Sequence, residues 1–162
     1  MLQPPVPTHL QTTSRQAEPL GYTDLQVSQR PGERAIVLLV EDDRDGRRLY
    51  AEWLTQAGFT VDQAHNGLQA LERAVETVPD VVVTDLNIPG IDGFELTRRL
   101  KQDPRTRQVP VLAVTGYAAF AADPGRAQRA GCDAVLEKPC SPDDLETAIR
   151  TLINGKRFVP DA

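Results

Sequence analysis

The chain has 162 residues, with 40% apolar and 25% charged side chains, which suits one soluble domain with a core of ordinary size. Its net charge of −5, spread through mixed signs, argues against a protein that works on nucleic-acid phosphates, and no apolar run approaches the ~20 residues of a membrane span. There is no basic segment followed by an apolar stretch at the start, and the two cysteines, Cys132 and Cys140, are too few for a disulfide framework or a zinc site. The cytoplasm is the expected compartment.

Residues 1–33 hold five of the 13 prolines (Pro4, Pro5, Pro7, Pro19 and Pro31) amid Gln, Thr and Ser, without helical or strand periodicity. Such a stretch buries too little apolar surface to offset its ordering entropy, so a flexible N-terminal tail is expected. Residues 34–154 are expected to form the domain and 155–162 a second, shorter tail.

Within the domain, strand-length apolar runs occur at 35–40, 81–84, 109–114 and 134–136. The weaker segment 59–64 alternates apolar and polar residues, as a half-exposed edge strand does. Helical stripes separate these runs. Leu49, Trp53, Leu54 and Ala57 form the first, ended by Gly58; Leu68, Leu71, Ala74, Val75 and Val78 form the second, ended by Pro79. Phe94, Leu96, Thr97 and Leu100 mark the third. A fourth helix is expected from Asp123-Pro124 to Gly131, and a fifth from Ser141-Pro142 through Leu145, Ala148, Ile149 and Leu152.

Five successive βα units with continuously apolar strands imply a parallel sheet covered on both faces. With the second strand at an edge, the expectation is a doubly wound, flavodoxin-like (βα)5 α/β fold, strand order 2-1-3-4-5. Sites in such sheets lie beyond the carboxyl ends of the strands, and those ends carry the chemistry here. The first ends in Glu41-Asp42-Asp43, the third in Asp85, the fourth in Thr115-Gly116 and the fifth in Lys138-Pro139. Carboxylates gathered on one rim repel each other and call for a cation. An incomplete oxygen ligand set open to water suits Mg2+, which shares its shell with phosphate. One acid at a strand end is commonplace as a helix cap; four functional groups at four strand ends are not.

The segments VLLVEDD (37–43), VVVTDLNIPGIDGFEL (81–96), AVTGYA (113–118) and GCDAVLEKPCSPDDL (131–145) resemble the receiver domains of response regulators, in family order, over roughly residues 35–153. The resemblance, to a chemotaxis-type single-domain regulator of two-component systems, implies Asp85 as phosphoacceptor. It implies Mg2+ held by Asp42, Asp85 and the main-chain carbonyl of Asn87, with Glu41 acting through water. Thr115 would bond the phosphoryl group, Lys138 would pair with the acceptor, and the Lys138–Pro139 bond would be cis. It further implies a histidine kinase or histidine phosphotransfer protein as phosphodonor, and a downstream protein target reached through a face bearing Asp143, Asp144, Glu146 and Arg150. Such a receiver would be no enzyme beyond its own phosphorylation and dephosphorylation. A phosphorylation-independent adaptor, or a receiver fragment of a hybrid kinase, is the alternative.

Two departures stand out. The family's frequent aromatic residue three positions before the lysine is Val135 here, so an aromatic readout is not expected. Pro124-Gly125 and the alanines from Ala118 onward point to a loose fourth helix. Tyr117 lies where a side chain could shield a phosphoryl group from water. Trp53 reads as core, and His9 and His65 as surface residues. The stretch 117–126 is expected to exchange its amides faster than the rest of the fold; uniformly slow hydrogen exchange there would contradict this.

Overall fold

The computed structural model describes residues 33–155. The expected tails therefore lie outside the described residues, apart from Glu33 and Gly155. The elements run β1 (Ile36–Val40), α1 (Arg44–Gln56), β2 (Thr60–Ala64), α2 (Gly67–Thr77), β3 (Val81–Thr84), α3 (Gly93–Gln102), β4 (Val111–Gly116), α4 (Tyr117–Ala122), α5 (Arg126–Ala130), β5 (Ala134–Lys138) and α6 (Pro142–Ile153). All strand pairs are parallel, in the order β2-β1-β3-β4-β5. The expected sheet order and edge strand are both present.

Alternation along each strand sends side chains to opposite faces, so each strand feeds two cores. Val37, Leu39, Val81, Val83, Leu112 and Val114 pack with α1 and α6. Leu38, Val40, Val82, Val111 and Ala113 pack with α2, α3 and α5. Helix starts follow the sequence signals. Asp43, Asn66, Asp92 and Ser141 each accept an amide hydrogen bond as N-caps of α1, α2, α3 and α6, with Pro142 at the start of α6.

Three expectations need correction. The fourth helix does not begin at Asp123-Pro124; a six-residue α4 precedes it and α5 begins at Arg126. Pro124 drives the preceding residue out of helical geometry, and Asp123 sits at φ −154°, ψ 87°. The fourth strand begins at Val111 rather than Val109, because Val109 closes a turn on Thr106 and Pro110 has no amide hydrogen to give. Finally, Leu49 and Leu68, at 45% and 54% exposure, and Val78 face outward. The buried residues of α1 are Ala51 and Leu54, and those of α2 are Gly67, Ala70 and Ala74. α2 is turned so that its small residues meet the sheet: a Cβ on Gly67 would lie 2.6 Å from the Ile91 carbonyl oxygen, which leaves no room for a leucine on that side.

The loop after β3 is held just as closely. Gly93 donates its amide to Leu86 O at 2.9 Å. A Cβ there would stand 2.4 Å from Asp85 O and 2.6 Å from Leu86 Cα, both backbone atoms that cannot swing aside. Gly93→Ala should cost about 1–3 kcal/mol of stability, measured by urea unfolding, and an unchanged midpoint would contradict this packing.

Candidate functional site

The carboxyl ends of β1, β3, β4 and β5 meet on one rim. Parallel register brings them level: Val40 lies opposite Thr84, and Gly116 opposite Lys138. Backbone bonds continue the ladder past the strands, from the Asp85 amide to Val40 O at 3.0 Å and from the Glu41 amide to Ala64 O at 3.1 Å. Both acids are thus fixed by sheet hydrogen bonding before their side chains contribute anything.

Lys138 Nζ donates to Glu41 Oε2 and to Asp85 Oδ2, each at 2.8 Å. Glu41 is 4% exposed as a residue, so this is an acid drawn out of water. Burial pushes its carboxyl above the usual range, an effect only partly opposed by the Lys138 hydrogen bond and charge. For Lys138, burial would lower the ammonium's pKa, but the hydrogen bonds and charges of Asp85 and Glu41 outweigh it and hold the group above the ordinary lysine value. The pairing is therefore lost from both sides: as alkali deprotonates the elevated lysine, and as acid returns a proton to Glu41, which takes it above the usual carboxylate range.

Carboxylate oxygens of Glu41, Asp42 and Asp85 lie within 4.8 Å of one another. Asp42 is exposed and Asp85 partly so, which leaves the cluster open to solvent on one side. Asp85 Oδ1 accepts the Asn87 amide at 3.0 Å, drawing the Asn87 main chain beside the carboxylate. The Thr115 hydroxyl is buried without a hydrogen-bond partner. A buried hydroxyl left unpaired is costly and stands ready for an acceptor. The Lys138–Pro139 peptide is cis, as the resemblance implied. An all-oxygen donor set of three carboxylates with an open side fits a hard divalent cation.

The remaining residues separate clearly. Asp43, next to the acidic pair, caps α1 through Oδ2 to the Gly46 amide at 2.7 Å. Val135 is half-buried against the core on the α2–α3 side. Trp53 is half-buried beside the opposite core, edge-on to Tyr50 at 5.4 Å between ring centroids. His65 is exposed, Cys132 and Cys140 are free thiols, and His9 lies outside the described residues. The Tyr117 side chain is likewise outside them. On α6, Asp143 and Asp144 are exposed, but Arg150 binds Glu146 at 2.9 Å and Ala57 O at 2.8 Å and covers the Phe59 ring. It ties α6 to the end of α1 while remaining exposed.

Two residues near the rim escaped the sequence reading. Tyr50 places its ring 5.8 Å from Lys138 Nζ, and burial raises its phenol to about 12. Arg47 Nη1 donates to Glu41 O at 2.9 Å and Asp42 O at 3.4 Å. Neither belongs to a motif; only their spacing from Asp43 along a capped helix could have placed them near the rim.

A family model for the response regulator receiver domain matches residues 37–150. The polar-differentiation response regulator DivK of Brucella anthropi is 37% identical over 112 residues, covering 68% of this chain and 90% of that relative. Among solved structures, a sensor protein from Polaromonas sp. JS666 has a TM-score of 0.70 at 32% identity, covering 76% of this chain and 98% of its own. The receiver domain of a sensor histidine kinase from Pseudomonas aeruginosa, solved with a magnesium ion coordinated in its active-site cleft, has a TM-score of 0.70 at 27% identity, covering 75% and 99%. A match of this extent, over a sheet wound in this order, makes the chain a member of the response regulator receiver family of two-component systems.

Proposed function

We propose that this receiver accepts a phosphoryl group on Asp85 from a histidine kinase or histidine phosphotransfer protein, with Mg2+ bound, and signals in the cytoplasm by contact with a downstream protein. The observation that carries this reading is the Lys138 ammonium bound at 2.8 Å to both Glu41 and Asp85, on a rim that also holds Asp42 and the unpaired Thr115 hydroxyl. Asp42, Asp85 and the Asn87 carbonyl would hold the cation, and Glu41 would act through water. When bound, Mg2+ supplies charge neutralisation for the carboxylates and the incoming phosphoryl oxygens.

An Asp85 carboxylate oxygen attacks phosphorus, the bond to the donor nitrogen breaks, and an acyl phosphate results. Lys138 is already bonded to Asp85 and follows the new negative charge, and the Thr115 hydroxyl gains the acceptor it lacks. The protein is then no enzyme toward other substrates; the reaction is on its own side chain.

Two measurements check this. Acetyl phosphate should add one phosphoryl group by intact mass only when Mg2+ is present, and Asp85→Asn should abolish the gain; an unmodified parent would instead favour a phosphorylation-independent adaptor. Lys138→Met leaves Glu41 and Asp85 without their cation. In chelator it should lose about 1–2 kcal/mol, less than the full cost of breaking a buried pair because solvent reaches the lysine. Added Mg2+ should raise its melting temperature more than the parent's. Identical melting of the two in chelator would contradict the role given to Lys138.

A further inference from the structure

We infer that Arg47 is a positioning residue for the cation site, holding the main chain of Glu41 and Asp42 so that their carboxylates converge with that of Asp85. The inference rests on the reading of that rim as a Mg2+ site.

Arg47 lies in the first turn of α1, and its own amide bonds to Asp43 O at 2.9 Å. Its guanidinium turns back toward the strand end. There Nη1 reaches the carbonyls of both acidic residues, closely to Glu41 and more weakly to Asp42. The choice of partner is informative. Glu41, Asp42 and Asp43 each carry a carboxylate, yet the arginine binds the carbonyl oxygens of the first two, so that Glu41 Oε2 goes to Lys138, Glu41 Oε1 accepts the Asp43 amide and the Asp42 carboxylate stays open to a cation.

Other bonds hold neighbouring atoms of this turn without doing the same work. The Glu41 amide is fixed to β2 through Ala64 O, the Asp43 amide donates to Glu41 Oε1 at 3.3 Å, and the Asp43 carboxylate is fixed to α1 through the Gly46 amide. Between them, the peptide units of Glu41 and Asp42 carry the ligands, and Arg47 links them to the helix. A carbonyl accepting from a charged donor is held more firmly than one accepting from water. Groups that orient metal ligands from behind in this way commonly set affinity by an order of magnitude or more.

Positioning and simple charge predict opposite signs. Removing a positive charge beside three carboxylates should tighten cation binding by Coulomb's law. Removing a clamp on their backbone should loosen it. Arg48, its exposed neighbour, provides the charge control, since it carries the same charge without these carbonyl bonds.

The experiment is a calorimetric titration of Mg2+ into the full chain, as parent, Arg47→Ala, Arg47→Lys and Arg48→Ala, each checked for cooperative melting in chelator. The expected result is a dissociation constant raised about tenfold in Arg47→Ala. Arg47→Lys, which keeps one donor, should recover part of the loss, and Arg48→Ala should bind as the parent does or more tightly. Should Arg47→Ala fail to fold, a weakened Arg47→Lys beside an unchanged Arg48→Ala supports the inference equally. Parent-like or tighter binding by a folded Arg47→Ala, or by Arg47→Lys where only that variant folds, overturns the inference and leaves the Mg2+ site standing. A parent that binds no Mg2+ overturns both.

Discussion

The double ion pair of Lys138 is the constraint on which the rest depends. Its ammonium sits on β5 and reaches past β4 to carboxylates on the ends of β3 and β1, joining residues 97 and 53 positions apart in sequence. Without a cation there, a buried glutamate would face a half-buried aspartate across the rim, and burial together with the like charge of Asp85 would push the Glu41 carboxyl further up with nothing to oppose it from Lys138. The pair therefore settles two matters together: it makes the acidic cluster tolerable in the folded state, and it places a positive charge beside the residue proposed to accept phosphate.

That arrangement requires rigid surroundings, and the structure provides them through backbone bonds more than through side-chain packing. The Asp85 and Glu41 amides extend the sheet ladder past its formal ends. The loop behind Asp85 is pressed against Gly93 with no space for another carbon, and Asp92 caps α3 immediately before it. The regular alternation of strand and single helix breaks after β4. Beyond Thr115 the chain makes a short α4, breaks at Asp123-Pro124 and resumes as α5, which Arg126 fastens to α3 through the face of Phe94. On the proposed function, the acidic rim would take the chemical input, and the broken helix beside it is where a shift in surface would follow.

Much of this was legible in the residues alone because its causes are local. Runs of buried aliphatic residues, caps at Asp43, Asn66, Asp92 and Ser141, and stops at Gly58 and Pro79 mark out the elements, and the winding rules of parallel sheets leave few ways to order them. The rim followed, since strand ends are known once strands are. Errors arose where helices had to choose a face. On α2 the large Leu68 and Val78 read as core but face outward, while Gly67, pressed against Ile91, and Ala70 are buried beside the expected Ala74. Periodicity gives a stripe; steric fit decides its rotation.

The sequence by itself determined the sheet order, the identity of the rim residues and the family resemblance, because hydrophobic period, turn chemistry and strand-end placement are properties of short segments. Only the tertiary structure decided which charges meet. That Lys138 binds Glu41 as well as the Asp85 the resemblance implied, that Thr115 is left without a partner, that Asp43 serves the helix, and that Arg47 holds the carbonyls behind the acids all depend on distances set by the folded chain. Coulomb and hydrogen-bond energies fall away over a few ångströms, so they are set by packing, and no local pattern encodes them.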